Sequence, residues 1–139
     1  MPIITRLYVR TSLVYLFAAL TLAVLLALAQ VMDLPLLLQA AGPVYFHLFL
    51  VGWVTQLIMG IVFWMFPKYS KERPRGNEGL AVATYVLLNI GLLLRLLGEP
   101  AAAVSSSALW SWVLVLSATL QWLAGMFFVG NTWGRVKER

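Results

Sequence analysis

The sequence predicts an all-α integral membrane protein, a bundle of four spanning helices in one domain over 1–139, and three observations carry that prediction. Of 139 residues, 62% are hydrophobic and only 11% charged, where a soluble domain carries about 25% charged residues. Four apolar segments, 11–32, 44–66, 79–98 and 107–130, each supply the roughly 20 residues that a helix needs to cross the hydrocarbon layer. The charges gather at the chain ends and in the middle connection, and no hydrophilic stretch is long enough for a separate soluble domain.

The first segment follows Arg6 and Arg10. Its basic start and the small residues of Ala27-Leu28-Ala29 resemble a signal peptide with a cleavage site, but its apolar run exceeds the 7–15 residues usual for one. It is read as a retained span. The second segment lies between Pro43 and Pro67, at positions where proline marks helix entry and exit. The third opens after Gly76-Asn77-Glu78-Gly79 and is expected to end at Gly98-Glu99-Pro100. The fourth begins after Ser105-Ser106-Ser107 and runs to Gly130-Asn131.

Basic residues orient the spans, because loops rich in Lys and Arg stay on the cytoplasmic side. Arg6 and Arg10 precede the first span, Lys68, Lys71, Arg73 and Arg75 lie between the second and third, and Arg135, Lys137 and Arg139 follow the fourth. The connections around Asp33 and Glu99 carry neither Lys nor Arg. Both termini and the middle loop are therefore expected in the cytoplasm, with the chain a multi-pass protein of the cell inner (plasma) membrane. The net charge of +5 is accounted for by these flanks, Arg95 aside, and calls for no nucleic-acid partner. The lipid bilayer is the expected environment, and a basic loop of this kind generically attracts anionic lipid.

The chain holds one histidine, His47, and no cysteine. An ionisable side chain inside a bilayer is costly, so an intramembrane histidine is a functional candidate by default. In the expected topology His47 lies about one turn below the outer surface, and Arg95 near the outer end of the third span. An imidazole and a guanidinium thus meet at similar depth. Arg95 has two readings. It can snorkel to the interface with Glu99, four residues on, as its partner, or its planar donor fork can clamp an anionic group. Heme propionates are carboxylates of that kind.

Helical periodicity places Val51, Val54, Ile58, Ile61 and Met65 near the His47 meridian, with Gly52, Gln56 and Gly60 on the opposite face. The glycine face is expected to pack inside the protomer, as small residues at four-residue spacing allow. The histidine face then meets a cofactor or another subunit. Three other readings of His47 stand beside this one: a hydrogen bond to a backbone carbonyl or to Gln39, membership of an interfacial aromatic belt between Tyr45 and Trp53, and a proton relay. The relay is hard to sustain, since no span is expected to hold a carboxylate.

Ser117, Gln121 and Gly125 form a ladder on the fourth span, and Thr84, Leu88, Gly91, Arg95 and Gly98 a stripe on the third, both read as packing. Trp110 and Trp112 at one end, and Trp64 and Trp133 at the other, match interfacial belts. Met32, Met59, Met65 and Met126 form no paired soft-ligand motif. Met65 lies eighteen residues from His47, a rise of about 27 Å along the helix, which excludes a His–Met pair on one heme.

His47 followed by Gly52-Trp53-Val54 and then Gln56, Ile58 and Gly60 resembles the second helix of the heme-copper oxidase subunit I superfamily, in particular the cbb-type catalytic subunit and the NnrS family. Arg10-Thr11-Ser12-Leu13-Val14-Tyr15 looks like that superfamily's opening. Asn89 to Arg95, Leu97-Gly98-Glu99-Pro100 and Asn131-Thr132-Trp133-Gly134-Arg135-Val136 look like its short divergent members. The resemblance covers most of the chain. It implies that His47 is the metal ligand of a b-type heme and that Arg95 is a propionate partner. It also has a limit: a heme-copper centre needs several further histidines, and none exists here. The chain is therefore not expected to act as an enzyme by itself. A second axial imidazole would come most simply from His47 of another copy in a homodimer. The expected role is electron transfer, heme handling or gas sensing beside a respiratory-chain redox partner. The alternative is a non-heme structural or assembly subunit of a respiratory membrane complex. A small transporter or quinone-binding protein is a third reading, weakened because no span carries a central acidic residue or a broken helix.

Overall fold

Inside a hydrocarbon layer each backbone N–H and C=O needs an internal partner, and four long helices supply it. The computed structural model describes residues 1–70 and 74–136, so Lys71, Arg73, Lys137 and Arg139 of the predicted basic flanks lie outside the described residues. Helix α1 covers Ile3–Leu28. A single helical turn, α2 at Leu36–Gln39, sits in the connection that follows. Then come α3 over Gly42–Met65, α4 over Glu78–Val104 and α5 over Ala108–Thr132, the last closing in a 3₁₀ turn at Trp133–Arg135. Helices α1, α3, α4 and α5 are each long and apolar enough to cross a membrane, and no strand occurs among the described residues.

The starts of these helices follow local chemistry. Pro43 occupies the first turn of α3, where its missing N–H costs nothing. The Asn77 side chain accepts from the N–H groups of Gly79 and Leu80 at 2.9 and 3.3 Å and so caps α4. Ser107 caps α5 through Leu109 N–H at 3.4 Å.

Three limits differ from the sequence expectation, the first being that α1 ends at Leu28, short of the expected 32. Helix α1 begins at Ile3, so Arg6 and Arg10 stand on the helix itself and not ahead of it. Helix α4 does not stop at 98 but carries Glu99 and Pro100 inside it to Val104. Proline removes one N–H, and membrane helices tolerate that loss when neighbours or local adjustment satisfy the freed carbonyl.

Helices α4 and α5 form the most extensively packed pair, with α1 against α3 the next. The expected glycine face does pack inward: a Cβ on Gly60 would lie 2.5 Å from Tyr8 Cβ, and one on Gly52 2.8 Å from Tyr15 Cγ. Gln56 between them is fully buried. These contacts make α1 and α3 antiparallel. Hydrogen bonds join α1 to α4 in a ladder: Tyr8 Oη donates to Ala81 O at 3.0 Å, the Thr11 and Tyr85 hydroxyls share a bond of 2.7 Å, and Tyr15 Oη donates to Asn89 Oδ1 at 2.8 Å. Both partners advance together along this ladder, so α1 and α4 run parallel.

The stripe on α4 meets α5 as expected at Gly91, whose carbonyl accepts from Ser117 Oγ at 2.7 Å, and Gln121 Nε2 donates to Ser117 Oγ at 3.2 Å. Gly125 takes no part, since a Cβ there would meet nothing within 4 Å. The N-terminus, residues 66–70 and 74–77 and the C-terminal turn gather at one end of the bundle: Arg135 bonds to the Phe63, Phe66, Pro67 and Arg75 carbonyls, and Pro2 and Ile3 line a groove with Arg75 and Glu78. His47 and Glu99 lie at the other end.

Candidate functional site

The site begins with an irregularity of backbone. Helix α3 is α-helical over Gly42–Phe46, π-helical over His47–Thr55 and α-helical again over Gln56–Met65. A π turn bonds i to i+5, as Gln56 N–H does to Val51 O, and so shifts the faces on its two sides relative to each other. Such segments are rare and recur at functional sites. The predicted aliphatic stripe is divided in consequence. Val51 packs against the core of Tyr8, Met59, Leu88 and Ala124, while Ile58, Ile61 and Met65 face outward. Tyr45, Phe49 and Trp53 form an aromatic column on another face of the helix, with ring centroids 5.9 and 4.8 Å apart along it, and Tyr45 and Phe49 pack against the core of Ala19, Ala41, Val44 and Leu48.

His47 opens the π segment. Its Nδ1 lies 2.9 Å from Pro43 O and 3.1 Å from Glu99 Oε1. A carbonyl and a carboxylate only accept, so Nδ1 carries the proton and forms a three-centre bond. In the neutral ring this leaves Nε2 with its lone pair, and it has no partner among the described residues. Glu99 Oε1 also accepts from Arg95 Nη1 at 3.0 Å. The His47, Glu99 and Arg95 side chains are 29, 8 and 19% exposed. Glu99 Oε2 and Arg95 Nε are buried with no hydrogen-bond partner.

The three residues form one chain, imidazole to carboxylate to guanidinium, linking α3 to α4. The arrangement does three things chemically. It fixes the ring orientation of His47 through Nδ1, it ties α3 to α4 through one carboxylate oxygen, and it retains the Arg95 charge beside them. A carboxylate or carbonyl on one ring nitrogen, with the other free, is the arrangement that supports metal-ligating histidines.

The sequence placed His47 and Arg95 at similar depth, and the structure brings them together only through Glu99. Arg95 takes the reading in which Glu99 is its partner. Part of the carbonyl reading of His47 is also present, in the bond to Pro43 and not to Gln39, whose Nε2 donates to Leu34 O at 2.7 Å. Glu99 was missed as a site residue because Gly98-Glu99-Pro100 reads as a helix stop; its four-residue spacing from Arg95 was the available signal. Contrary to the expectation that no span holds a carboxylate, Glu99 sits within α4. Among the described residues no group of three or more His, Cys, Asp or Glu side chains is placed to hold a metal ion, so this protomer offers one ring nitrogen and not a complete ligand set. No protein-family model, curated protein or solved structure matches this chain.

Proposed function

We propose that this chain is a membrane protein that binds b-type heme through His47 Nε2, in a site completed by a second copy. The observation that carries the reading is the Nδ1 contact with Glu99 and Pro43, which orients the ring and leaves Nε2 free. The residues present fit the group in part. The His47 side chain is partly exposed on a helix that also exposes Phe46 and Leu50, apolar surface of the kind a porphyrin face requires. Arg95 keeps donors beyond the one given to Glu99 and can meet a propionate. With a single imidazole per chain, a second axial imidazole has to come from another chain, most simply a second copy across a two-fold axis.

Bound heme would supply one-electron transfer or a gas-binding iron, tuned by its axial ligands and by the polarity around them. The protein's own residues hold and orient the group, and the apolar surface limits water. The functions that follow are electron transfer, heme handling or gas sensing with a respiratory partner, and not independent oxygen chemistry. The basic end of the bundle is assigned to the cytoplasm by its Lys and Arg content, which sets His47 toward the outer face of the inner membrane.

A second reading, a structural or assembly subunit of a respiratory complex, is favoured by one specific feature. The His47–Glu99–Arg95 chain already ties α3 to α4, a sufficient structural use for each of its members. Absorption spectra of the purified protein, oxidised and dithionite-reduced, decide between the two. Sharp reduced Soret and α bands are expected in wild type and in neither His47→Ala nor His47→Asn. The asparagine retains a donor near the Nδ1 position, so it keeps the link to Glu99 while removing the ligand nitrogen. A colourless wild type after heme is supplied, co-purifying with larger partners, would leave the structural subunit.

A further inference from the structure

The end of the bundle away from His47 holds a second polar feature that heme binding does not use. Arg135 is fully buried. Its Nε donates to Pro67 O at 3.1 Å, its Nη1 to Phe63 O at 3.0 Å and Arg75 O at 3.5 Å, and its Nη2 to Phe66 O at 2.8 Å. The guanidinium also stands 5.9 and 6.0 Å from the ring centroids of Phe63 and Phe66. Two of these carbonyls, Phe63 and Phe66, belong to the last turn and cap of α3, where a helix presents unpaired acceptors and partial negative charge. The dipoles hold the cation without cancelling its charge, and no carboxylate pairs with it among the described residues.

Beside Arg135 opens a cavity of about 450 Å³ lined by Trp64, Phe66, Lys68, Pro74, Arg75 and Arg135. Among the described residues, half of that lining is cationic and none of it acidic. Lys68 makes no ion pair among the described residues, and Arg75 Nη1 lies 3.7 Å from Glu78 Oε1 in a solvent-exposed pair, a contact that neutralises little. Trp64 lines the cavity and is also 46% exposed. Ile61 and Met65 on the same helix present further apolar surface. Indole rings favour the headgroup level of a bilayer.

We propose that this cavity binds a phosphate group presented by an anionic phospholipid. An arginine fork and a lysine point charge together suit phosphate oxygens. The volume falls in the range of sites that take a small organic ligand and exceeds what a lone ion needs. The exposed apolar residues beside Trp64 offer acyl chains a surface, which free phosphate does not use. The inference rests on the membrane character of the helices and is independent of heme.

The test uses the full chain in phosphatidylcholine nanodiscs. Spin-labelled phosphatidylglycerol is titrated in, and its motionally restricted fraction is compared with that of spin-labelled phosphatidylcholine. Wild type is expected to prefer phosphatidylglycerol. The Lys68→Gln/Arg75→Gln variant should lose about five-fold of that preference for each charge removed. Arg6→Gln/Arg10→Gln removes equal charge around a different groove at the same end and should leave the preference in place. Circular dichroism checks helix content, and exposed Lys68→Gln alone carries the test if the double variant misfolds. No preference in wild type, or equal losses in both double variants, would overturn the built site. Inorganic phosphate binding saturably to detergent-solubilised protein in equilibrium dialysis, and displacing phosphatidylglycerol, would assign the cavity to free phosphate and overturn the lipid source.

Discussion

Arg95 and Arg135 carry the same charge into helices of low polarity and settle it differently. Arg95 shares a carboxylate with His47, while Arg135 is wrapped by backbone carbonyls. The first solution makes the carboxylate a control point. Glu99→Gln keeps the size of the side chain but removes its charge, so Nδ1 loses its anionic acceptor and Arg95 its counter-ion. If His47 holds heme as proposed, heme affinity is expected to fall about 10–100-fold, as for other groups that support a metal-bound histidine. Heme titration followed at the Soret band measures it, and unchanged affinity would separate Glu99 from the ligand role of His47. Residue type alone was enough to single out His47 and Arg95, because each is rare and expensive in a span. Glu99 was not legible, since its part depends on a proline tolerated inside α4 and on the rotation of α4 against α3. Arg135 was read as one more basic flank because nothing in Gly134-Arg135-Val136 records the carbonyls that the end of α3 turns toward it.

Among the elements, α3 makes the sharpest contrast between what spacing encodes and what it does not. The small-residue face of Gly52, Gln56 and Gly60 was legible, because close helix approach requires absent side chains at regular intervals. Gly60→Ala would push a methyl to 2.5 Å from Tyr8 Cβ, and overpacking of that kind costs about 1–3 kcal/mol. Gly125→Ala meets open space and should be neutral or slightly stabilising, since alanine is the better helix former. Thermal unfolding in detergent checks the pair, and similar midpoints for the two variants would contradict the packing. The π segment His47–Thr55 was not legible. No capping residue, proline or glycine pattern distinguishes an i to i+5 ladder from the ordinary one, and the hydrophobic residues fit either. The error it caused is specific: a single stripe from Val51 to Met65 was expected, and the wider turns divide it between core and surface.

For the molecule as a whole, composition alone made the four long helices legible, whereas their mutual arrangement came from side-chain pairs far apart in the sequence. Two hairpins, α1 with α3 and α4 with α5, meet along the hydroxyl ladder and the His47–Glu99 contact. Much apolar surface on α1 and α5 stays exposed, including Phe17, Val24, Trp112 and Trp122, and it belongs against lipid or another subunit. If a second copy completes the heme site, pigment analysis should give about one heme per two chains, with light scattering showing a dimer. One heme per chain in a monomer would instead require a ligand other than a second His47. The tyrosine ladder has a further consequence, for the making of the protein. Tyr8, Thr11 and Tyr15 leave the ribosome more than seventy residues ahead of Ala81, Tyr85 and Asn89. The opening hairpin therefore enters the bilayer with those hydroxyls still waiting for α4, and the later half of the chain completes the earlier one during biogenesis.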